Sequence, residues 1–242
     1  DAYGANFHIV NGVFDANEQP INVEGDFILE AQGRFLYNND GSGTNAVGTQ
    51  TVTFDGNTTD VNINMRDGGN NGNDNPFYNI IIAKDDPDHD VRIIREHFRI
   101  ENDLTITQGR FWDTNEGNGA IYDIRNVANT NGSGGTITIG ADGTLMLGNN
   151  NRNDAASEFP LVFSDVDLDP ASTVVYRDRG EQRVTALNDY WAGVQYGNLT
   201  LTNGDDNENR AKQLQGAITV RGNLRIEDSY FFDNGYQVTG NT

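Results

Sequence analysis

Along most of the chain, apolar and polar residues alternate in short runs, and each run is closed by Gly, Asn or Asp. Val52 and Phe54 in Gln50–Asp55, Val61-Ile63-Met65, and Ile137 with Ile139 are clear cases. Successive side chains on a strand point to opposite faces, so these runs predict short strands with one buried face. No stretch of a dozen residues repeats apolar positions at i, i+3, i+4 and i+7, so no long amphipathic helix is expected. The fold class is all-β.

The runs recur in a fixed order, which narrows the architecture further. Residues 3–39, 77–115 and 196–241 each open on an aromatic: Tyr3, Phe77 or Tyr196. A short apolar strand and an Asp/Asn-rich loop follow. Next comes an alternating run: Ile21-Val23-Phe27-Leu29, Phe98-Ile100-Leu104-Ile106 or Ile218-Val220-Leu224-Ile226. A two-residue polar break interrupts each run, at Gly25-Asp26, Asn102-Asp103 and Gly222-Asn223. Each copy ends on an aromatic strand containing Phe35, Phe111-Trp112 or Tyr230-Phe231-Phe232. Residues 116–158 read as an insert, with short strands at Thr136–Ile139 and Gly143–Leu147. No single unit can bury its inner face alone, so neighbouring units must stack. The expected fold is one stacked β-solenoid over residues 1–242. A pair of β-sandwich domains is the competing arrangement.

Composition excludes several roles. The net charge is −20 and the sequence pI about 4.2, which disfavours nucleic acid and anionic membrane surfaces. No apolar stretch is long enough for a membrane helix, so no membrane insertion is expected. The opening DAYGANFHIV has neither the basic nor the apolar region of a signal peptide. The chain is therefore expected to be cytoplasmic or numbered from a processed end. It contains no Cys, and a stacked solenoid needs no disulfides.

Residues 172–241 carry a recognisable pattern: Ser172-Thr173-Val174-Val175-Tyr176, Gln182, Val184, Tyr196-Gly197-Asn198-Leu199, Lys212, Leu214, Gly216, Ile218-Thr219-Val220, Gly222-Asn223-Leu224 and Gly235-Tyr236. This resembles the repetitive modules of large secreted or cell-surface proteins of Bacteroidota-type bacteria. Residues 3–115 match more loosely, and residues 116–158 do not match. The resemblance implies a right-handed parallel β-helix or β-solenoid with a structural or adhesive role outside the cell, and it brings no catalytic residue with it.

The first copy lacks a preceding strand of the Ser172–Tyr176 kind, and the last lacks a following one like Gln50–Asp55. These half-units are complementary, so head-to-tail addition of subunits into a filament is one expectation. A fragment of a longer repeat protein is the other.

Candidate chemistry is limited. Asp165, Asp167 and Asp169 share one strand face, with Val166 and Leu168 on the other. Such a row suits Ca²⁺, or a glycosidase pair with carboxyls about 5 to 10 Å apart; a solvated strand face is the preferred reading. Asp85, Asp86 and Asp88 form a second candidate Ca²⁺ group in an acidic loop, without EF-hand spacing. Residues 67–75 and 203–209 are similar oxygen-rich loops. His8, His89 and His97 form no close pair, so zinc is not expected. There is no G-x-S-x-G and no phosphate-binding loop. Phe35, Tyr37, Phe111, Trp112, Phe231 and Phe232 suit core packing, with outward members available to glycans or to another subunit. The expected function is a non-enzymatic subunit or segment of an extracellular surface fibre or adhesin. The alternative is a carbohydrate-binding or polysaccharide-cleaving β-helix module.

Overall fold

The computed structural model describes residues 6–36, 50–65, 77–95, 98–113, 124–126, 134–148, 158–178, 180–203 and 211–240. Its strands are β1 (Phe7–Asp15), β2 (Ile21–Val23), β3 (Phe27–Leu36), β4 (Thr51–Gly56), β5 (Val61–Met65), β6 (Asn79–Lys84), β7 (Asp90–Arg95), β8 (Phe98–Ile100), β9 (Leu104–Trp112) and β10 (Ile124–Asn126). They continue with β11 (Gly134–Leu147), β12 (Phe163–Leu168), β13 (Thr173–Tyr176), β14 (Gln182–Val184), β15 (Asn198–Thr202), β16 (Ala211–Leu214), β17 (Ile218–Val220), β18 (Leu224–Glu227), β19 (Tyr230–Phe232) and β20 (Val238–Gly240). One short helix, α1 (Leu187–Tyr190), interrupts them.

Every described strand pairing is parallel, and each joins one turn of the chain to the next. One ladder runs through β2, β4, β6, the first half of β9, the first half of β11, and β12. A second runs through β1, β3, β5, β7, the second halves of β9 and β11, and then β13, β15 and β18. Near the C-terminal end β14-β16-β19 and β17-β20 form further faces. The chain is a parallel β-helix, as the stacking argument requires. Sandwich domains would need antiparallel hairpins and meanders, and the described residues contain none.

The alternation places one apolar residue per turn into each interior file. Ile21, Val52, Ile80, Leu104, Ile137 and Val166 lie in register in the first ladder. Val91, Phe111, Leu145, Val174, Leu199 and Leu224 do so in the second. All but the end members Ile21 and Leu224 are buried. Residues 116–158, which the repeats leave out, supply β10 and β11. β11 pairs along both halves with β9, so it contributes to both ladders.

β9 and β11 pass from the first ladder to the second without leaving the sheet, each at a glycine. Gly143 lies in register with Gly109, which has φ +100°. A Cβ on Gly143 would stand 2.4 Å from the carbonyl oxygen of Ile106, so the corner admits only glycine.

The polar breaks of the sequence form a second inter-turn device. Just before a ladder strand, an Asx side chain accepts the backbone N–H of the equivalent residue one turn on. Asn6 Oδ1 accepts from Asp26 (2.9 Å), Asp26 Oδ1 from Asn62 (2.8 Å) and Asn79 Oδ1 from Asp103 (3.3 Å). Asp103 Oδ1 accepts from Thr136 (2.7 Å) and Asn198 Oδ1 from Asn223 (2.9 Å). In return, the N–H after the Asx donates to the carbonyl of the next turn: Phe7 to Asp26 (2.8 Å), Ile80 to Asp103 (2.9 Å) and Leu199 to Asn223 (2.9 Å). These bonds fix the register at the corner where the chain enters each strand.

Candidate functional site

β12 points Asp165 and Asp167 outward and Val166 and Leu168 inward, because its alternation is locked to the buried first ladder. The three acids do not act together. Asp165 Oδ1 accepts the Val166 N–H (2.9 Å), whereas Asp169 Oδ1 accepts from Ala171 (2.8 Å) in the turn beyond the strand. Asp85, Asp86 and Asp88 lie in the exposed turn between β6 and β7. There Asp86 Oδ1 accepts from the Asp88 N–H (2.8 Å), and Asp88 meets Arg110 of the next turn (3.3 Å). Among the described residues no three His, Asp or Glu side chains converge as a cation site. His97, Tyr37 and residues 67–75 and 204–209 of the candidate loops lie outside the described residues. His8 faces Glu30 across the first two turns (3.5 Å).

A charged cluster occupies the outer face of β7 and β9. The buried Asp90 carboxylate takes Arg92, the Arg110 Nε–H and the Trp112 indole N–H (3.1 Å). The Arg92 guanidinium lies 4.8 Å from the Trp112 ring and that of Arg177 lies 4.2 Å from it. Trp112 does point away from the core, as its position next to Phe111 implies, yet the arginines cover it. It offers no open stacking face for a sugar.

Two lysines lie inside the helix. Lys84 follows Ile80 and Ile82 on the inward phase of β6, and its ammonium donates to the carbonyls of Glu24 (3.4 Å) and Asp55. Burial lowers its pKa against the pull of Asp55, Glu24 and Asp85. Lys212 is fully buried, lies in register with Gln182 and Phe231, and donates to the carbonyl of Asp178. Burial lowers its pKa to about 8, with Asp178 opposing. Neither lysine lines a surface where a substrate could reach it.

Tyr176 and Tyr196 meet hydroxyl to hydroxyl at 2.9 Å in the core. Tyr196 donates to the Thr185 carbonyl (2.7 Å), so Tyr176 donates to Tyr196 and accepts the Thr185 N–H (3.2 Å). Burial raises both phenol pKa values, that of Tyr196 strongly. The pair ties the segment carrying α1 to the ladder. Changing Tyr196→Phe strands the Thr185 carbonyl and the Tyr176 donor, and should lower unfolding free energy by about 2 kcal/mol. Chemical denaturation checks this, and an unchanged midpoint would refute it.

The two end turns differ from all of these. Among the described residues, every exposed large apolar side chain except Leu161 and Tyr190 lies on β1 or on the stretch from β18 to β20. At one end Phe7, Ile9 and Phe14 point inward, and Phe14 is 37% exposed. Phe7 stacks on Phe27 (4.8 Å between ring centres) and Phe14 on Phe35 (6.0 Å). At the other end Leu224, Ile226, Phe231 and Val238 continue interior files, and Ile226 is 45% exposed. Both turns also present strand edges with no described neighbour on one side.

No family model, no curated protein and no solved structure matches this chain. The site must therefore be read from its own chemistry. Sequence reasoning placed Asp165 and Asp167 on the outward face. It missed the buried lysines, although their spacing from Ile82 and Leu214 puts both on the inward phase. It also missed the arginine cover on Trp112, which comes from other turns.

Proposed function

We propose that this chain is a non-enzymatic structural subunit or segment of an extracellular surface fibre or adhesin. The observation that carries the reading is the parallel β-helix itself, in which the described strands stack turn on turn around one apolar interior. In such a helix each turn is stabilised by its neighbours along the axis, which suits an extended structural element. An acidic outer surface keeps a fibre of this kind soluble and separates it laterally from its neighbours. Of the strand acids, Asp165 and Asp169 accept nearby backbone N–H groups. Among the described residues no helix is long and apolar enough to cross a membrane. Immunogold labelling of intact producing cells, with negative-stain imaging of the labelled material, tests the role. Surface-attached filaments are expected; label confined to the cell interior would refute it.

One observation favours the glycan-binding alternative. Tyr230 and Phe232 point outward side by side on β19, with ring centres 6.5 Å apart. A glycan array positive for the natural chain and negative for Tyr230→Ala/Phe232→Ala would support that second reading.

A further inference from the structure

We infer that Asn57, in the exposed turn between β4 and β5, is the acceptor for an N-linked oligosaccharide, and that Asn198, which carries the same acceptor triplet, is not. This deepens the surface reading and rests on it, because the donor, an oligosaccharide on a polyprenyl diphosphate, is met during export. The chain holds three Asn-x-Ser/Thr triplets: Asn57-Thr58-Thr59, Asn131-Gly132-Ser133 and Asn198-Leu199-Thr200. In a chain rich in Asn and Thr such triplets arise by chance, so the triplet alone selects nothing. In a folded chain the selection is by shape. The acceptor amide must be free, and the backbone that carries it must lie in a surface loop.

Asn57 meets both conditions. β4 ends at Gly56, with φ 73°, and β5 begins after Asp60, with φ 57°. Between them Asn57 and Thr59 are exposed. Among the described residues nothing hydrogen-bonds the Asn57 amide or the Thr59 hydroxyl. The two ends of the turn are held instead. The Gly56 carbonyl accepts the Asp85 N–H (3.1 Å), and the Asp60 carboxylate meets Arg92 (2.9 Å). The exposure owes nothing to where the chain begins or ends, because a neighbouring turn lies on each side. Asp85 and Arg92 belong to the turn after. From the turn before, Glu24 packs so close that a Cβ on Gly56 would stand 2.5 Å from its Cγ. The triplet therefore projects sideways from a fixed base in the middle of the stack.

Asn198 fails both conditions. It lies in β15, which is paired to β13 on one side and β18 on the other. Its Nδ2, the atom that would form the new bond, donates to the Ala171 carbonyl (2.8 Å), and its Oδ1 accepts the Asn223 N–H (2.9 Å). Leu199, the middle residue of the triplet, is buried. Modification here would break a rung between turns and draw Leu199 out of the core. Asn131 lies outside the described residues.

The transfer needs no oxidant or reductant. Asn57 Nδ2 bonds to the anomeric carbon of the oligosaccharide, the bond from that carbon to the diphosphate oxygen breaks, and the polyprenyl diphosphate leaves. The amide gives up one proton. The Thr59 hydroxyl is the group by which the transferase recognises the triplet. The product is a bulky, solubilising group on the flank of the β-helix.

The test is transfer in vitro to the purified folded chain, using a single-subunit oligosaccharyltransferase and a polyprenyl-diphosphate oligosaccharide, read by peptide mass mapping. Asn57 should be modified and Asn198 should not. Synthetic peptides spanning each of these two triplets should both be modified, which isolates the contribution of the fold. Thr59→Ala should abolish transfer to Asn57 with an unchanged circular dichroism spectrum, and Thr59→Ser should restore it. A folded chain left bare at Asn57 while its peptide is modified would overturn the proposal, as would equal modification of Asn198. Mapping of the chain recovered from the surface of producing cells should find the glycan on Asn57. A bare Asn57 in that material would overturn the proposal and leave the fibre reading in place. Label confined to the cell interior would refute the fibre reading, and transfer in vitro would still decide separately whether Asn57 is an acceptor.

Discussion

Gly148→Ala should destabilise the chain by on the order of 4 kcal/mol and lower its melting midpoint by roughly 10 °C. Two effects add. Gly148 has φ +108°, which a side-chain-bearing residue adopts only at a cost of about 1–2 kcal/mol. A Cβ there would also stand 2.5 Å from the backbone nitrogen of Asp178 in the next turn, and overpacking of this kind typically costs about 1–3 kcal/mol. Relief by backbone movement is blocked from the other side. The Gly148 N–H donates to the buried Asp113 carboxylate (2.8 Å), which would lose a partner if the corner shifted. Gly193 provides the control. Its φ is +83°, but nothing lies within 4 Å of its added Cβ, so Gly193→Ala should lose only about 1–2 kcal/mol. Thermal melts of the two variants separate conformational cost from steric cost. Equal losses would show that turn-to-turn contact at this corner is loose.

The same corner shows what the sequence makes legible and what it does not. Period-2 alternation reads the inward and outward phases well, because each β-helix strand has one face on the core. Val166 and Leu168 against Asp165 and Asp167 follow it. The polar breaks were also visible as breaks. Their role as rungs between turns was not, because it depends on which turn lies beneath, and turn length varies along the chain. For the same reason the cover of Arg92 and Arg177 on Trp112 could not be read from a local pattern. Gly140 to Gly143 resembled a loop between two strands. In the structure pairing to β9 resumes beyond it, so that β11 is one strand with a corner inside it. Lys84 and Lys212 lie on the inward phase, but a pattern built from apolar positions passes over a charged residue there. In a solenoid, phase outranks residue type when a backbone carbonyl stands ready for the ammonium.

Lys212 gives that ranking a measurable consequence. Its pKa in the folded chain is about 8, against an ordinary value of 10.5. Below pH 8 both folded and unfolded chains hold the proton, and the folded state bears the full cost of a buried ammonium. As pH rises through 8 the folded chain releases its proton first, while the unfolded chain still holds one. Stability therefore rises between pH 8 and 10.5, and the gap between the two values corresponds to about 3 kcal/mol. The upper part of this window is opposed by Tyr176 and Tyr196. Their raised pKa values make unfolding more favourable once ordinary tyrosine begins to ionise, near pH 10. The clean range is thus about pH 7.5 to 9.5. Lys84 contributes a rise of the same sign, so the wild-type profile alone cannot assign the effect. Lys212→Met does. Methionine fills the same file between Gln182 and Phe231 and removes the charge, at the cost of one donor to the Asp178 carbonyl. The variant should be at least as stable as the natural chain at pH 7, since an apolar isostere commonly replaces a buried charge without loss. Its advantage should shrink steadily toward pH 9.5. Parallel stability profiles for the two chains across that range would mean that the Lys212 ammonium is solvated in the folded state, and that the interior of the β-helix is wet at this file.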